Sequence, residues 1–373
     1  MKKRKFILPL MFMGLIIIMG AITFFAPERT YSENEKRILA KFPKITWDSV
    51  KSGEFQDGFE TYISDHLAGR EFFVGVNAYW DKLLGKNALK DIYSADDGYL
   101  VNAPKDISGG SFRKNMENFQ NFTQKTGIDS TLMIIPSAGY IMEDKLPSFH
   151  KKYNDDELFK LASELTPSVR FFDTRGRLLN KYNEGAQVYY RTDHHLTSEG
   201  SYALYREYCT LKGMDYPQKE EYSISTYGGF YGTTYSGSGY FLNRDDNIEI
   251  WDKGTKVSVT LEEKDSRKSD TMFFKEHLDS MDMYPVYLDG NHSYVKIENP
   301  EAEGGNLLII RDSYAQNMAP FLAHNYKNIY MLDMRYYRNF MSKFLEENEI
   351  DEILYLYGID TLLTDESSNW LFF

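Results

Sequence analysis

Cysteine is nearly absent: Cys209 is the only one in 373 residues. No intramolecular disulfide can form, so a small stapled scaffold is excluded. Basic residues are outnumbered, 43 Lys and Arg against 55 Asp and Glu, for a net charge of −12. That balance argues against nucleic-acid binding, which leans on Lys and Arg to neutralise phosphates. No repeat and no low-complexity tract is visible, which removes solenoids and propellers. What remains is a chain with 42% hydrophobic and 16% aromatic residues, long enough for one large domain or two small ones and for a core that needs no staples. Cys209 sits in an apolar helical pattern with Tyr205 and Tyr208 and reads as packing.

Lys2, Lys3, Arg4 and Lys5 precede an uncharged run of 21 residues, Phe6–Ala26. As a helix this run is about long enough to cross a bilayer's hydrocarbon core, which takes roughly 20 residues. The basic flank should stay in the cytoplasm and place the rest of the chain outside. A cleaved signal peptide is the competing reading, but Thr23–Pro27 offers no clean small-x-small site. An uncleaved anchor over residues 1–27 is therefore expected, followed by a helical region over 28–105 and a larger domain over 106–373.

In the larger part, short apolar strands alternate with amphipathic helices. Helix Phe112–Thr126 runs into strand Thr131–Ile135. Helix Glu157–Leu165 leads to Val169–Phe172. Leu307–Ile310 precedes a helical run from Tyr314 to His324, and Asn328–Leu332 and Ile353–Tyr357 follow. The pattern predicts an α/β fold with a parallel sheet covered by helices on both faces. Ligands bind beyond the carboxyl ends of such strands, which draws notice to Ser137, Asp173, Asp312, Ser313 and Asp333. Residues at about 214–300 break the alternation. They are rich in Gly, Tyr, Ser and Thr, as in Tyr227–Tyr240, and read as a β-rich insertion that either walls a cleft or is a surface excursion. The apolar stretch Asn369–Phe373 either docks on a membrane partner or plugs the core.

Two constellations carry possible chemistry. Arg191-Thr192-Asp193-His194-His195 lies just before a helical pattern whose natural N-cap is Thr197. Arg311-Asp312-Ser313-Tyr314 lies at a strand-to-helix junction, where a serine projects from a tight turn near free backbone N–H groups. Together they hold the parts of an acyl-transfer triad: nucleophile, imidazole base and orienting carboxylate. On spacing alone the alternatives stay open. Most serines at helix starts are caps, and Asp193, His194 and His195 are also potential metal ligands. Adjacent histidines rarely face one ion, however, and no further His/Cys pair has ligand spacing, so neither a metal nor a cofactor is expected. Asp312 reads as a helix cap, and His66, His150, His277, His292 and His324 as surface or packing residues.

The stretches Tyr189–Cys209, with its Asp-His-His core, and Asn306–Tyr337, around Ser313, resemble the motif blocks of DHHW proteins; Phe59–Phe73 and Phe230–Tyr240 resemble the family too. That family is similar to the SGNH-hydrolase-like domains of periplasmic alginate O-acetyltransferases. The resemblance implies an SGNH-hydrolase-like fold, with Ser313 as nucleophile, His195 as general base and Asp193 as its orienter. One departure is plain, for Leu196 stands where the family's name has tryptophan. The implied function is extracytoplasmic O-acetylation of a cell-surface polysaccharide, with a membrane-bound O-acyltransferase as partner. A carbohydrate acetyl esterase and a non-catalytic glycan-binding or scaffold subunit are the alternatives.

Overall fold

A computed structural model of the chain describes residues 7–372, apart from 28, 33, 87 and 263–265. The basic flank Lys2–Lys5, Phe6 and Phe373 lie outside the described residues. The chain falls into two compact units, one running up to Lys90 and including Tyr235–Asn243, the other formed by Asp91–Thr234 and the chain from Arg244 onward. The sequence pattern draws the boundary near residue 105 and has no means of assigning Tyr235–Asn243 to the earlier unit.

In the first unit, α1 (Ile7–Phe25) has 19 residues with a mean hydropathy of 2.4 and no buried residue, so it is long and apolar enough to cross a membrane. Two longer helices, α2 (Glu54–His66) and α3 (Arg70–Leu83), follow within the stretch expected to be helical. They are separated at Gly69, whose φ of 71° lets the chain turn without strain. Asp65, buried at the end of α2, fastens the preceding polar stretch by accepting from Arg37 (2.9 Å) and the Ala40 N–H (2.8 Å).

The second unit is built on α4 (Ser111–Thr126), β1 (Asp129–Ile135), α5 (Asp155–Leu165), β2 (Arg170–Asp173), α6 (Ser198–Lys212), β3 (Ser258–Leu261), β4 (Arg267–Ser269), β5 (Tyr294–Glu298), β6 (Gly304–Arg311), α7 (Ala315–Leu322), β7 (Tyr326–Leu332), α8 (Met341–Glu347), β8 (Glu352–Gly358) and α9 (Ile359–Thr364). The eight strands form one sheet in the order β4-β3-β5-β7-β6-β8-β1-β2. From β7 to β2 all pairs are parallel. Successive side chains of a strand point to opposite faces, and Leu307, Leu308, Ile309 and Ile310 of β6 are all fully buried. Both faces are therefore covered, as a parallel sheet requires. On one face Leu308 and Ile310 join Phe119 of α4, Phe159 of α5, Phe344 of α8 and Leu362 of α9 in a single core. Leu371 is buried in the same core, while Trp370 and Phe372 are exposed, the Phe372 ring standing edge-on to Phe122; within the apolar Asn369–Phe373 stretch it is Leu371 that plugs the core.

The sheet is mixed rather than wholly parallel. Strands β3, β4 and β5, which come from the region read as an insertion, extend it beyond β7 with antiparallel pairing. The physical reason is that β7 is apolar on both faces and would otherwise leave an open ladder of backbone donors and acceptors. Val259 and Leu261 are buried while Thr260 between them is partly exposed, as befits a strand with one face on the core. Earlier in the region a separate antiparallel pair forms, Ser223–Phe230 with Asp246–Asp252, whose register shifts between Gly228 and Phe230.

Candidate active site

The serine's position follows from the end of β6. After Arg311 the chain turns through Asp312, Ser313 and Tyr314 into α7. Asp312 is buried and holds the turn. Its N–H donates to the Leu356 carbonyl (3.3 Å), Oδ1 accepts from the Tyr314 N–H (3.0 Å), and Oδ2 accepts from the Gly358 N–H (2.8 Å). Burial raises its carboxyl above the usual range, and these donors pull the other way. Asp312 is thus more than a local cap, since it ties the serine turn to the end of β8. Gly358 is required there because a Cβ would fall 2.3 Å from the Tyr314 ring.

The second half of the site is a loop closed by a bridge between Tyr189 and Leu196. Leu196 is buried, so the position that departs from the family's name keeps an apolar packing role. Thr197 caps α6 by accepting from the Gly200 N–H (3.2 Å). Asp246, buried at the start of its strand, shapes the loop by accepting from the Arg191 N–H (3.0 Å), the Thr192 N–H (2.7 Å) and the Thr192 hydroxyl (2.7 Å). Asn317 of α7 donates to the Leu196 carbonyl (2.8 Å) and accepts from the Ser201 hydroxyl. The serine's own helix therefore holds the histidine loop in place.

Within this frame, Asp193 Oδ1 accepts from the His195 N–H (2.9 Å) and faces His195 Nδ1 in a close hydrogen bond. His195 Nε2 lies 2.7 Å from Ser313 Oγ. A carboxylate only accepts, so Nδ1 carries the proton and the Nε2 lone pair is left for the serine hydroxyl. Asp193 Oδ2 accepts from both the N–H (2.6 Å) and the hydroxyl (2.8 Å) of Thr233. That hydroxyl proton being spent, Thr233 Oγ1 accepts from His194 Nδ1 at 2.7 Å. A Cβ at Gly232 would come within 2.1 Å of Asp193, so only glycine lets this segment approach. The imidazole is also clamped from its face. The Tyr284 ring stacks on it at 3.8 Å and 9°, and its hydroxyl donates to the Ser313 carbonyl (3.2 Å). Burial raises that phenol well above its ordinary value. The Tyr314 hydroxyl donates to the His194 carbonyl (2.7 Å).

Asp193, His195 and Ser313 are thus brought into one hydrogen-bonded chain. Of the other polar residues past strand ends, Asp173 pairs with Arg175 (2.6 Å), Asp333 with Arg335 (2.6 Å), and Ser137 donates its N–H to Asp155 (2.7 Å). Asp193, His194 and His195 offer potential metal-ligand atoms within 4.8 Å of one another. Both ring nitrogens of His195 and Nδ1 of His194 already have partners in the network just described. Beside it lies a small cavity of about 20 Å³ lined by Asn102, Ser137, His194, Thr234, Tyr314 and Asp360. Burial pushes the Asp360 carboxyl up to about 6. The remaining histidines stay outside the network; His324, for one, is held near 4 by burial. Sequence reasoning does not single out Thr233, Asp246, Tyr284 or Asn317. For Thr233 the available signal was the Gly- and Tyr-rich stretch Tyr227–Tyr240, which gives a segment and no particular residue; Asp246, Tyr284 and Asn317 lie outside it.

The family description "DHHW protein" matches residues 132–332. No curated protein matches the chain. Among solved structures it is similar to a DHHW family protein from Eubacterium siraeum DSM 15702, with 22% identity and a TM-score of 0.65 over 76% of this chain and 95% of that one. It is also similar to PatB1 from Bacillus cereus, solved with a sulfonyl adduct, with 19% identity and a TM-score of 0.62 over 74% and 97%. The O-acetyltransferase domain of AlgJ from Pseudomonas putida matches at 14% identity and a TM-score of 0.46 over 75% and 96%. At these identities the first two likenesses establish the fold.

Proposed function

The chain belongs to the DHHW protein family, and from there we propose that it is an extracytoplasmic O-acetyltransferase that moves acetyl groups onto a cell-surface polysaccharide through an acyl-serine intermediate. The observation that carries this reading is the 2.7 Å approach of His195 Nε2 to Ser313 Oγ, with Nδ1 turned to Asp193. In the proposed reaction Ser313 Oγ attacks the acetyl carbonyl while its proton passes to Nε2. Asp193 stabilises the imidazolium, and Nε2–H then protonates the departing donor group as its bond to the acetyl carbon breaks. In the second half a sugar hydroxyl gives its proton to Nε2 and attacks the acyl carbon, and the serine leaves with that proton.

Several features support the finer points. The sheet's carboxyl end and the serine at a strand-to-helix turn suit an SGNH-hydrolase-like fold. The likeness of DHHW proteins to alginate O-acetyltransferases favours acetyl transfer to a polysaccharide over hydrolysis. PatB1 carries a sulfonyl adduct, a product that activated nucleophiles give. In this reading α1 is an uncleaved anchor, single-pass, with Lys2–Lys5 in the cytoplasm. A membrane-bound O-acyltransferase supplies the acetyl groups.

The test supplies an activated acetyl ester with and without an oligosaccharide acceptor. The expected result is an acetyl adduct on Ser313 by intact mass, and acetylated sugar in excess of free acetate. An active enzyme whose Ser313 stays unlabelled under rapid quenching overturns the mechanism. Acetate alone, with every acceptor tried, makes it an esterase.

A further inference from the structure

The first unit carries an apolar groove at the outer end of α1. One wall is the last two turns of α1 itself, with Gly20, Thr23 and Phe24; the other is the aromatic and aliphatic face of α2, with Phe59 and Ile63, together with Phe42. Its volume is about 770 Å³, within the ~300–1,000 Å³ range of pockets that hold small molecules. The corner after α2 is fastened to the helix by a hydrogen bond from the Ala68 N–H to Thr23 Oγ1 at 3.0 Å. A second tie runs from His66 Nε2 to the Arg29 carbonyl, also 3.0 Å. Phe42, Phe59 and Ile63 are left 49%, 39% and 37% exposed, and Trp47 close by in the chain 82%. These apolar side chains are left facing the groove and its surroundings without a covering element among the described residues.

We propose that this groove is a lipid seat: acyl chains of the outer leaflet fill it, and the first unit rests in the bilayer surface instead of hanging free on a tether. The proposal rests on the reading of α1 as a membrane span. The 19 residues of α1, at about 1.5 Å each, match a hydrocarbon core of about 30 Å, so its last turn lies at the outer boundary of that core. Whatever is hydrogen-bonded to Thr23 lies at that depth as well. A groove walled by a membrane helix at this depth opens onto lipid, and lipid is the occupant its apolar lining fits. Exposed Trp47, between Lys44 and Lys51, has the composition that settles at the membrane interface.

The experiment uses the full chain in liposomes of phosphatidylcholine and phosphatidylglycerol. Spin labels are attached at Phe59→Cys and, separately, Ile63→Cys; native Cys209 is buried and does not compete for the label. A label at Lys160→Cys, on an exposed helix position of the second unit, is the aqueous reference. The expected result is that labels at 59 and 63 are several-fold more accessible to oxygen than to a water-soluble nickel chelate, with the reverse at 160. If labels at both sites match position 160 while the protein resists carbonate extraction, the anchor stands and the lipid seat is overturned. The groove would then await a protein partner. Release of the protein by carbonate overturns both.

Discussion

Thr233 gives both of its donors to a single oxygen, Oδ2 of Asp193, at 2.6 Å from the backbone and 2.8 Å from the hydroxyl. Oδ1 is left to His195. In the proposed mechanism this division orients the carboxylate without competing for the imidazole. Thr233→Val keeps the shape and loses one hydrogen bond to a charged acceptor, a change of about 1.5–3 kcal/mol, together with the weaker neutral one that Oγ1 accepts from His194. The kcat with an activated ester should fall about ten- to hundredfold, with KM little changed, and Thr233→Ser should retain most of it. Unchanged turnover in Thr233→Val would mean that Asp193 is held by its other contacts.

The adjacent histidines should separate cleanly. His195→Ala and Ser313→Ala should each lower kcat by about three orders of magnitude or more, and the double variant should be no worse than either, because members of one catalytic unit are not additive. His194→Ala gives up the contact to Thr233 and a tilted ring contact with His195. A neutral hydrogen bond is worth about 0.5–1.5 kcal/mol, so a two- to tenfold loss is expected. Steady-state kinetics with circular dichroism as the fold control decides between the two residues.

Asp155 supplies a pH signature. It is buried, and burial pushes its carboxyl from 3.8 up to about 6, with the Ser137 N–H partly offsetting this. The folded state therefore holds the proton more tightly than the unfolded chain. The resulting stability is fully present below about pH 4 and is lost as pH rises through about 6. Asp155→Asn keeps an acceptor and removes the ionisation. It should match the wild type in urea melts near pH 4 and exceed it by about 1–3 kcal/mol near pH 7.5. A difference that is the same at both pH values would rule this account out.

Leu371 is 1% exposed and belongs to the core beneath the sheet. Leu371→Ala should cost about 2–5 kcal/mol, read by thermal or urea unfolding. A loss of surface acetylation at full stability would point instead to docking on a partner.

Much of the scaffold was legible because its strands are short runs of Leu, Ile and Met between turn signals. Strand Thr131–Ile135 is found inside β1, and Asn328–Leu332 inside β7. The Asp-x-His pair and the serine stood out as candidates because each lies directly at an element boundary. The residues that hold them did not. Thr233, Asp246 and Tyr284 come from a region that breaks the strand–helix alternation, lie about 40 to 90 positions from Asp193, and are of types common in this chain. Pairing them with Asp193 or His195 is a matter of tertiary contact, which local pattern does not encode. The antiparallel edge was missed for a similar reason: Val257, Val259 and Leu261 alternate with polar neighbours as in a strand, but nothing local says that its sheet is the main one.

β8 is the last of the eight strands to be synthesised, yet it lies in the middle of the sheet, between β6 and β1. Until β8 is made, the edges of β6 and β1 that it pairs with in the finished sheet have no partner, and an unpaired edge is open to wrong pairings. Closing them requires contacts between residues more than two hundred positions apart, such as Tyr355 with Leu132, which makes for slow, non-local folding. The serine turn waits on the same event, because Asp312 is pinned by Leu356 and Gly358. A nascent chain ending near residue 350 already contains Asp193, His195 and Ser313 and should still be inert. On the proposed mechanism, activity should appear only once β8 has paired with both β6 and β1.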